Sequence, residues 1–367
     1  MKTKISYLKI KGRESISIFL DNWFNNYIFT LLSQLFILLI TPFFYLTSCS
    51  ELNELETKTN LHIDLSKSSS FDTFDKGDTV DIFIYNKDEK KILDSYNRLI
   101  ISKPLDNLLC TSRIGPKFIV IIQNPQHKDY MWEDIKDLES LSRLRMSLLN
   151  EKEEKKTAFC IQEINAGAII EYWIETKPLT SSIRIKSIVC DFKDKVYNDS
   201  KLKDIKFYII NVNSSCNLLE KEENPSSIIN NGEVIEEDMK MMLSPELLLK
   251  NYDKEVGSKV MYPDICLYTY PNEAKEESIG SEFTKLVIEG SIDGNTYYYP
   301  IDINRGDFII KDSDGHIGIR KSYNYDLEIT IKQCGMDSPH KSINKDYIEL
   351  KTIIKKWKDI EEVTLNF

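Results

Sequence analysis

The sequence has only four histidines, and neither they nor its cysteines fall into an HExxH or CxxC spacing, so no zinc site can be read from it. It has no Gly-rich phosphate loop, nucleophile elbow or triad-like constellation, and no group of residues points to a cofactor. No basic tract occurs. With 58 acidic side chains against 48 basic ones the formal net charge is −10, which excludes a surface built for nucleic acid or an anionic membrane. Tryptophan is scarce at four residues. Trp23 lies near the N-terminus, Trp132 and Trp173 fall in apolar patterns, and Trp357 alone is left for a glycan-stacking platform. The cysteines at 49, 110, 160, 190, 216, 266 and 334 are irregularly spaced. A chain this long needs no disulfide framework, so the last six read as small core residues. Asp312-Ser313-Asp314-Gly315 opens like a calcium loop, but Tyr323 stands where the closing Glu belongs, and a turn is expected instead.

Apolar and aromatic material is plentiful: 41% of the chain is hydrophobic, with 19 Tyr and 16 Phe, enough for packed cores. Most of it alternates. Residues 79–85, 117–122, 167–174, 183–192, 205–212 and 265–270 read as strands. Residues 286–292 and 296–301 flank Asp293-Gly294-Asn295, a hairpin signal because Gly accepts positive φ. In Tyr323–Ile331 the odd positions are apolar and the even ones polar, as a half-buried antiparallel strand requires. Helix is expected over 132–149, where apolar residues recur every three or four positions, and over 244–249. Many short strands and little helix predict β-sandwiches. The polar stretch 193–203 has no apolar face and is the expected boundary between an N-terminal domain, 61–200, and a C-terminal domain, 201–367.

The N-terminus has a basic start (Lys2, Lys4, Lys9, Lys11, Arg13), an apolar stretch over 27–46 and a small-residue end. That is the layout of a signal peptide. Leu46-Thr47-Ser48-Cys49 resembles the lipobox of bacterial lipoproteins: Leu, two small residues that admit a peptidase, then the Cys whose thiolate accepts a diacylglycerol. The expectation is a signal peptide over 1–48, recognised through Leu46, Thr47 and Ser48, with lipid on Cys49 and an acidic tether over 49–60. The rival reading is an uncleaved membrane helix, since the apolar stretch is about long enough to span a bilayer. Ser50, Glu51, Glu54 and Glu56 resemble the surface-export signal of Bacteroidota lipoproteins and equally suit a solvated linker.

Several stretches together resemble the fimbrillin-like proteins of Bacteroidota, the subunits and accessory proteins of protease-assembled lipoprotein pili. They are 80–86 (VDIFIYN), 178–188 (PLTSSIRIKSI), 267–272 (LYTYPN), 285–290 (KLVIEG), 297–301 (YYYPI), 320–331 and 357–367 (WKDIEEVTLNF). The resemblance implies a mostly β fold of two transthyretin-like β-sandwich domains with one or two short helices. It implies a non-enzymatic structural or accessory role in pilus assembly or adhesion. It also implies other pilus subunits or surface proteins as partners, and an outer-membrane or fimbrial location. In polymerising members a protease removes the first strand after an Arg, and a neighbour's strand fills the groove. Here no Arg occurs between Cys49 and Arg98, which implies an anchor or accessory subunit, or a different protease. Val363, Leu365 and Phe367 alternate at the C-terminus and form the candidate assembly strand, with Trp357 expected in a core. An outer-membrane lipoprotein that binds glycans or another extracellular ligand is the alternative function.

Overall fold

Aliphatic and β-branched residues in short runs, punctuated by residues that tolerate positive φ, fold as strands here. The computed structural model describes residues 58–65, 77–102, 107–167, 172–220, 228–229, 245–277, 282–310 and 315–357. In chain order the strands are β1 (Lys58–Leu65), β2 (Thr79–Asn86), β3 (Leu93–Ile100), β4 (Asn107–Arg113), β5 (Gly115–Gln123), β6 (Arg145–Ser147), β7 (Ala158–Ala166), β8 (Tyr172–Ile174), β9 (Lys177–Pro178), β10 (Ser181–Cys190), β11 (Lys203–Ile210), β12 (Val212–Asn213), β13 (Ser215–Asn217), β14 (Ile228–Ile229), β15 (Leu249–Tyr252), β16 (Ile265–Thr269), β17 (Lys285–Ile292), β18 (Asn295–Asp302), β19 (Tyr323–Ile331) and β20 (Ile348–Lys356). Among the described residues helix is confined to the short pieces α1 (Trp132–Ile135), α2 (Leu138–Ser142) and α3 (Pro245–Leu248), with isolated 3-10 turns. The protein is mostly β, as expected.

A five-stranded sheet runs β3-β2-β5-β7-β9, and a three-stranded sheet runs β4-β1-β8. Two four-stranded sheets run β16-β10-β19-β20 and β15-β11-β17-β18. Side chains from the two four-stranded sheets, among them Ile183, Ile185, Leu327, Ile329, Phe207, Ile209, Leu286 and Ile288, share one core. Phe83, Tyr85, Phe118, Val120 and Phe159, from one face of the five-stranded sheet, join that core. The opposite face of the same sheet (Val80, Ile82, Ile84, Ile119, Ile121, Cys160, Ile164) packs with Leu61 and Cys110 in a second core. The five-stranded sheet is thus covered on both faces, which explains why β2 and β5 are near-continuous apolar runs.

The hairpin at 293–294 forms as its residues dictate: Asp293 and Gly294 take φ of 50° and 83°, and Ile292 pairs with Asn295. In β19, Tyr323, Tyr325, Leu327, Ile329 and Ile331 are all buried on one face. Its pairing differs from a purely antiparallel setting, because β19 runs parallel to β10 and antiparallel to β20. β10, which lies within the expected N-terminal domain over 61–200, is bonded to β16 and β19 of the later sheet. The 193–203 stretch is a succession of turns, with Lys195, Asn198 and Ser200 N–H groups donating to Phe192, Lys195 and Tyr197 carbonyls. The strand expected over 205–212 is interrupted at Asn211, whose φ is 57°.

The long helix expected over 132–149 does not form. Asp137 is extended (φ −141°, ψ 166°), and its carboxylate accepts from the Ser140 backbone N–H at 2.7 Å, so it caps a new helix. The same break is held from outside, because Leu138 N–H donates to Lys91 O and Leu93 N–H to Lys136 O. After α2 the chain turns extended as β6, paired with β13. Cys110, Cys160, Cys190 and Cys216 are buried, Cys266 and Cys334 half-buried, and all six are free thiols.

Candidate functional site

Leu46, Thr47, Ser48 and Cys49 at the N-terminal end, and Val363, Leu365 and Phe367 at the C-terminal end, lie outside the described residues. So do Asp312, Ser313 and Asp314. The structure does describe the strands next to both ends.

β1 begins soon after Cys49 and is the middle strand of its sheet, antiparallel to β4 (Leu61 opposite Cys110) and parallel to β8 (Ile63 beside Tyr172). Leu61 is buried in the second core. One strand near the start of the chain therefore fills a slot between two others. The β4 wall of that slot is fastened independently of β1. Asp94 on β3 accepts from the Ser112 hydroxyl at 2.8 Å and the Arg113 backbone N–H at 3.0 Å, and pairs with Arg113 Nε at 2.8 Å. Burial alone would raise the Asp94 carboxyl. The Arg113 N–H, the Ser112 hydroxyl and the nearby Lys117 ammonium outweigh it and hold the carboxyl below its ordinary value. Lys117 also donates to Asn86 Oδ1.

At the other end, β20 is the outer strand of its sheet and matches β19 residue for residue from Ile348 to Lys356. Trp357 follows it, half-buried, its backbone N–H donating to Ser322 O at 2.9 Å. It is not the enclosed core residue expected, because it stands one position past the last residue pair, Tyr323 with Lys356, of an outer strand covered on one side by β19. Exposed Lys351, Lys355 and Lys356 mark this edge, as lysines do on edges that must not pair indiscriminately.

Two buried polar clusters hold the interior in register. Asp81, fully buried on β2, accepts from Arg98 Nε and Nη2 at 2.6 Å each, from Tyr130 Oη at 2.6 Å and from Tyr96 Oη at 3.3 Å. Glu151 accepts from Tyr270 Oη at 2.8 Å, Gln126 Nε2 at 2.9 Å and Thr157 N–H at 2.8 Å. Burial pushes the Glu151 carboxyl above its ordinary value of 4.5, and those hydrogen bonds offset only part of the shift. Sequence reasoning missed Asp81, Lys117 and Glu151. For Asp81 and Lys117 the available signal was a lone charge inside or at the head of an apolar run, as in VDIFIY and KFIVII, whereas Glu151 opens the charged run EKEEKK and carried no signal.

A cleft of about 650 Å³ beside α1 and α2 is lined by His127, Glu133, Asp137, Glu139, Arg143 and Arg145. Within it Arg143 pairs with Glu139, and beyond the lining with Glu220, at 2.9 Å each. Trp132, expected on a core-facing stripe, is 56% exposed. The described residues contain no group of three or more His, Cys, Asp or Glu side chains placed to hold a metal.

No protein-family model matches the chain, and no curated protein matches its sequence. Solved structures do match its fold. A proposed cell adhesion protein from Parabacteroides distasonis superposes with a TM-score of 0.57 at 12% identity, covering 82% of this chain and 98% of that one. A fimbrilin from Porphyromonas gingivalis gives 0.56 at 13% identity, covering 84% and 99%. A tip fimbrial protein from Porphyromonas gingivalis, truncated at its C-terminus, gives 0.51 at 10% identity, covering 82% and 100%. At such identities what is shared is the fold.

Proposed function

We propose that this chain is a non-enzymatic surface lipoprotein that serves as a structural or accessory component of a pilus, in assembly or adhesion, by β-strand addition. The observation that carries the reading is the position of β1, one strand close to the chain's start seated between β4 and β8. Removing it would expose two rows of backbone hydrogen-bonding groups and the apolar site of Leu61, both of which an incoming strand can satisfy. The shared fold with fimbrial and adhesion proteins supports the same reading. On it, residues 1–48 are a signal peptide, Cys49 carries the lipid that holds the protein at the outer membrane, and 49–60 is the tether. Residues 61–200 and 201–367 each supply a sandwich, with β10 crossing into the second. Val363, Leu365 and Phe367 supply the assembly strand, and the partners are other pilus subunits.

The test is a chain that begins at residue 66. It should associate head to tail into a ladder of oligomers, and a version that also lacks residues 361–367 should stay monomeric. A folded chain from residue 66 that remains monomeric at every concentration would refute strand addition.

Exposure of Trp132 beside a polar cleft favours a second reading, capture of an extracellular glycan. Unchanged binding to a glycan array after Trp132→Ala would remove it.

A further inference from the structure

β2 and β5 are antiparallel with Asn86 directly opposite Lys117. The Lys117 ammonium donates to Asn86 Oδ1 and lies 3.3 Å from Asp94 Oδ2. The Lys117 and Asp94 side chains are 4% and 1% exposed. Asn86 continues the strand parity of Ile82 and Ile84, and Lys117 that of Ile119 and Ile121, so both sit at the end of the second core. An amine, a carboxamide and a carboxylate are thereby held together in a site poor in water. The Asp94 carboxylate is the acid–base group nearest the amine, close enough to exchange a proton with it. The carboxamide carbon is one C=O bond, about 1.23 Å, beyond the oxygen to which Lys117 donates, which makes it the nearest electrophile to the amine.

We propose that Lys117 and Asn86 become joined by an isopeptide bond that the folded chain forms unaided, with Asp94 carrying the proton. Asp94 takes a proton from the Lys117 ammonium, and the freed lone pair on Nζ attacks Asn86 Cγ. The Nζ–Cγ bond forms. A proton passes from Nζ to Nδ2 through Asp94, the carbonyl re-forms, and the Cγ–Nδ2 bond breaks. Ammonia leaves past the half-buried Asn86 and takes the remaining proton from Asp94, so an ammonium ion departs and the carboxylate is restored. Nothing is oxidised or reduced and no co-reactant is needed. Ser112 and Arg113 hold Asp94 in position and are positioning residues. The product would tie β2 to β5 covalently, next to the slot that β1 fills.

Peptide mapping of the full-length protein tests this. The expected result is a branched peptide joining the segments around Asn86 and Lys117, lighter than the two together by one ammonia, with no tryptic cleavage after Lys117. Lys117→Arg and Asp94→Asn should each return two separate peptides of full mass. Unjoined peptides of full mass from the wild-type chain would overturn the proposal, as would a lost ammonia that maps to any other residue. A joined peptide in Asp94→Asn would overturn the role given to Asp94. The decisive measurement needs only the unaltered chain, so a variant that fails to fold leaves it intact.

Discussion

Arg98 grips Asp81 through two parallel contacts of 2.6 Å, across the β2–β3 pair where the two residues stand opposite each other. Arg98 also donates to the His127 and Lys128 carbonyls, so one guanidinium ties a buried carboxylate to the loop that follows β5. Its loss strands the carboxylate in the interior. Arg98→Ala should cost about 3–5 kcal/mol, the range for breaking a buried pair, read as a fall in the urea midpoint. Arg98→Lys should recover little, because an ammonium cannot reproduce the planar fork. The same pairing bears on processing. The first arginine after Cys49 lies inside a paired strand, and an Arg-specific protease should leave the folded chain uncut there.

Stability should depend on pH through Glu151 in a direction opposite to the usual carboxylate. Its carboxyl is raised by burial, so the folded chain keeps this proton after the unfolded chain, with an ordinary value near 4.5, has released it. The contribution of Glu151 is complete below about pH 4.5 and declines as pH rises through the folded-state value. Glu151→Gln removes the titration. Wild type should therefore lose ground to Glu151→Gln as pH rises, and urea midpoints measured for both across pH 4 to 8 check the sign. A constant difference would mean that Glu151 titrates normally.

Two glycines with positive φ should respond unequally to alanine. Gly294 (φ 83°) has open space where a Cβ would stand, so Gly294→Ala should cost only the left-handed strain, about 1–2 kcal/mol. At Gly318 (φ 76°) the new Cβ would lie 2.3 Å from Asn272 O and 2.4 Å from Arg305 Nη2. Arg305 is buried, and burial pulls its guanidinium down to about 10, so it has little freedom to withdraw. Gly318→Ala should add an overpacking cost of roughly 1–3 kcal/mol to the strain, visible as a distinctly lower melting temperature than that of Gly294→Ala.

The proposed lipid on Cys49 predicts that Cys49→Ala abolishes labelling by a fatty-acid analogue and releases the protein from the membrane fraction. A variant that still takes up label would show that Leu46-Thr47-Ser48-Cys49 is not read as a lipobox.

Local chemistry made some of this fold legible. Asp293-Gly294 announces its hairpin because both residues accept positive φ at little cost, and β19 shows its buried face because its alternation is unbroken over nine residues. What stayed hidden depends on partners distant in the chain. The periodicity over 132–149 is a fair helix pattern, yet Asp137 caps Ser140 and the segment is bonded to Lys91 and Leu93, so tertiary contacts cut it short. Nothing near β10 discloses that it lies parallel to β19, a pairing that joins Ile183 to Tyr325. Lys117, Asn86 and Asp94 converge only once β2, β3 and β5 are side by side, and a lysine heading an apolar run was the sole hint.

A sheet with a core against each face has no side on which water can reach its amides. In hydrogen-exchange measurements β2 and β5 should therefore be the last strands to take up deuterium, opening only when the whole N-terminal half opens. β20, bonded on one side only, should exchange far earlier. Exchange rates would then rank the strands by how thoroughly they are enclosed rather than by their distance from the ends of the chain.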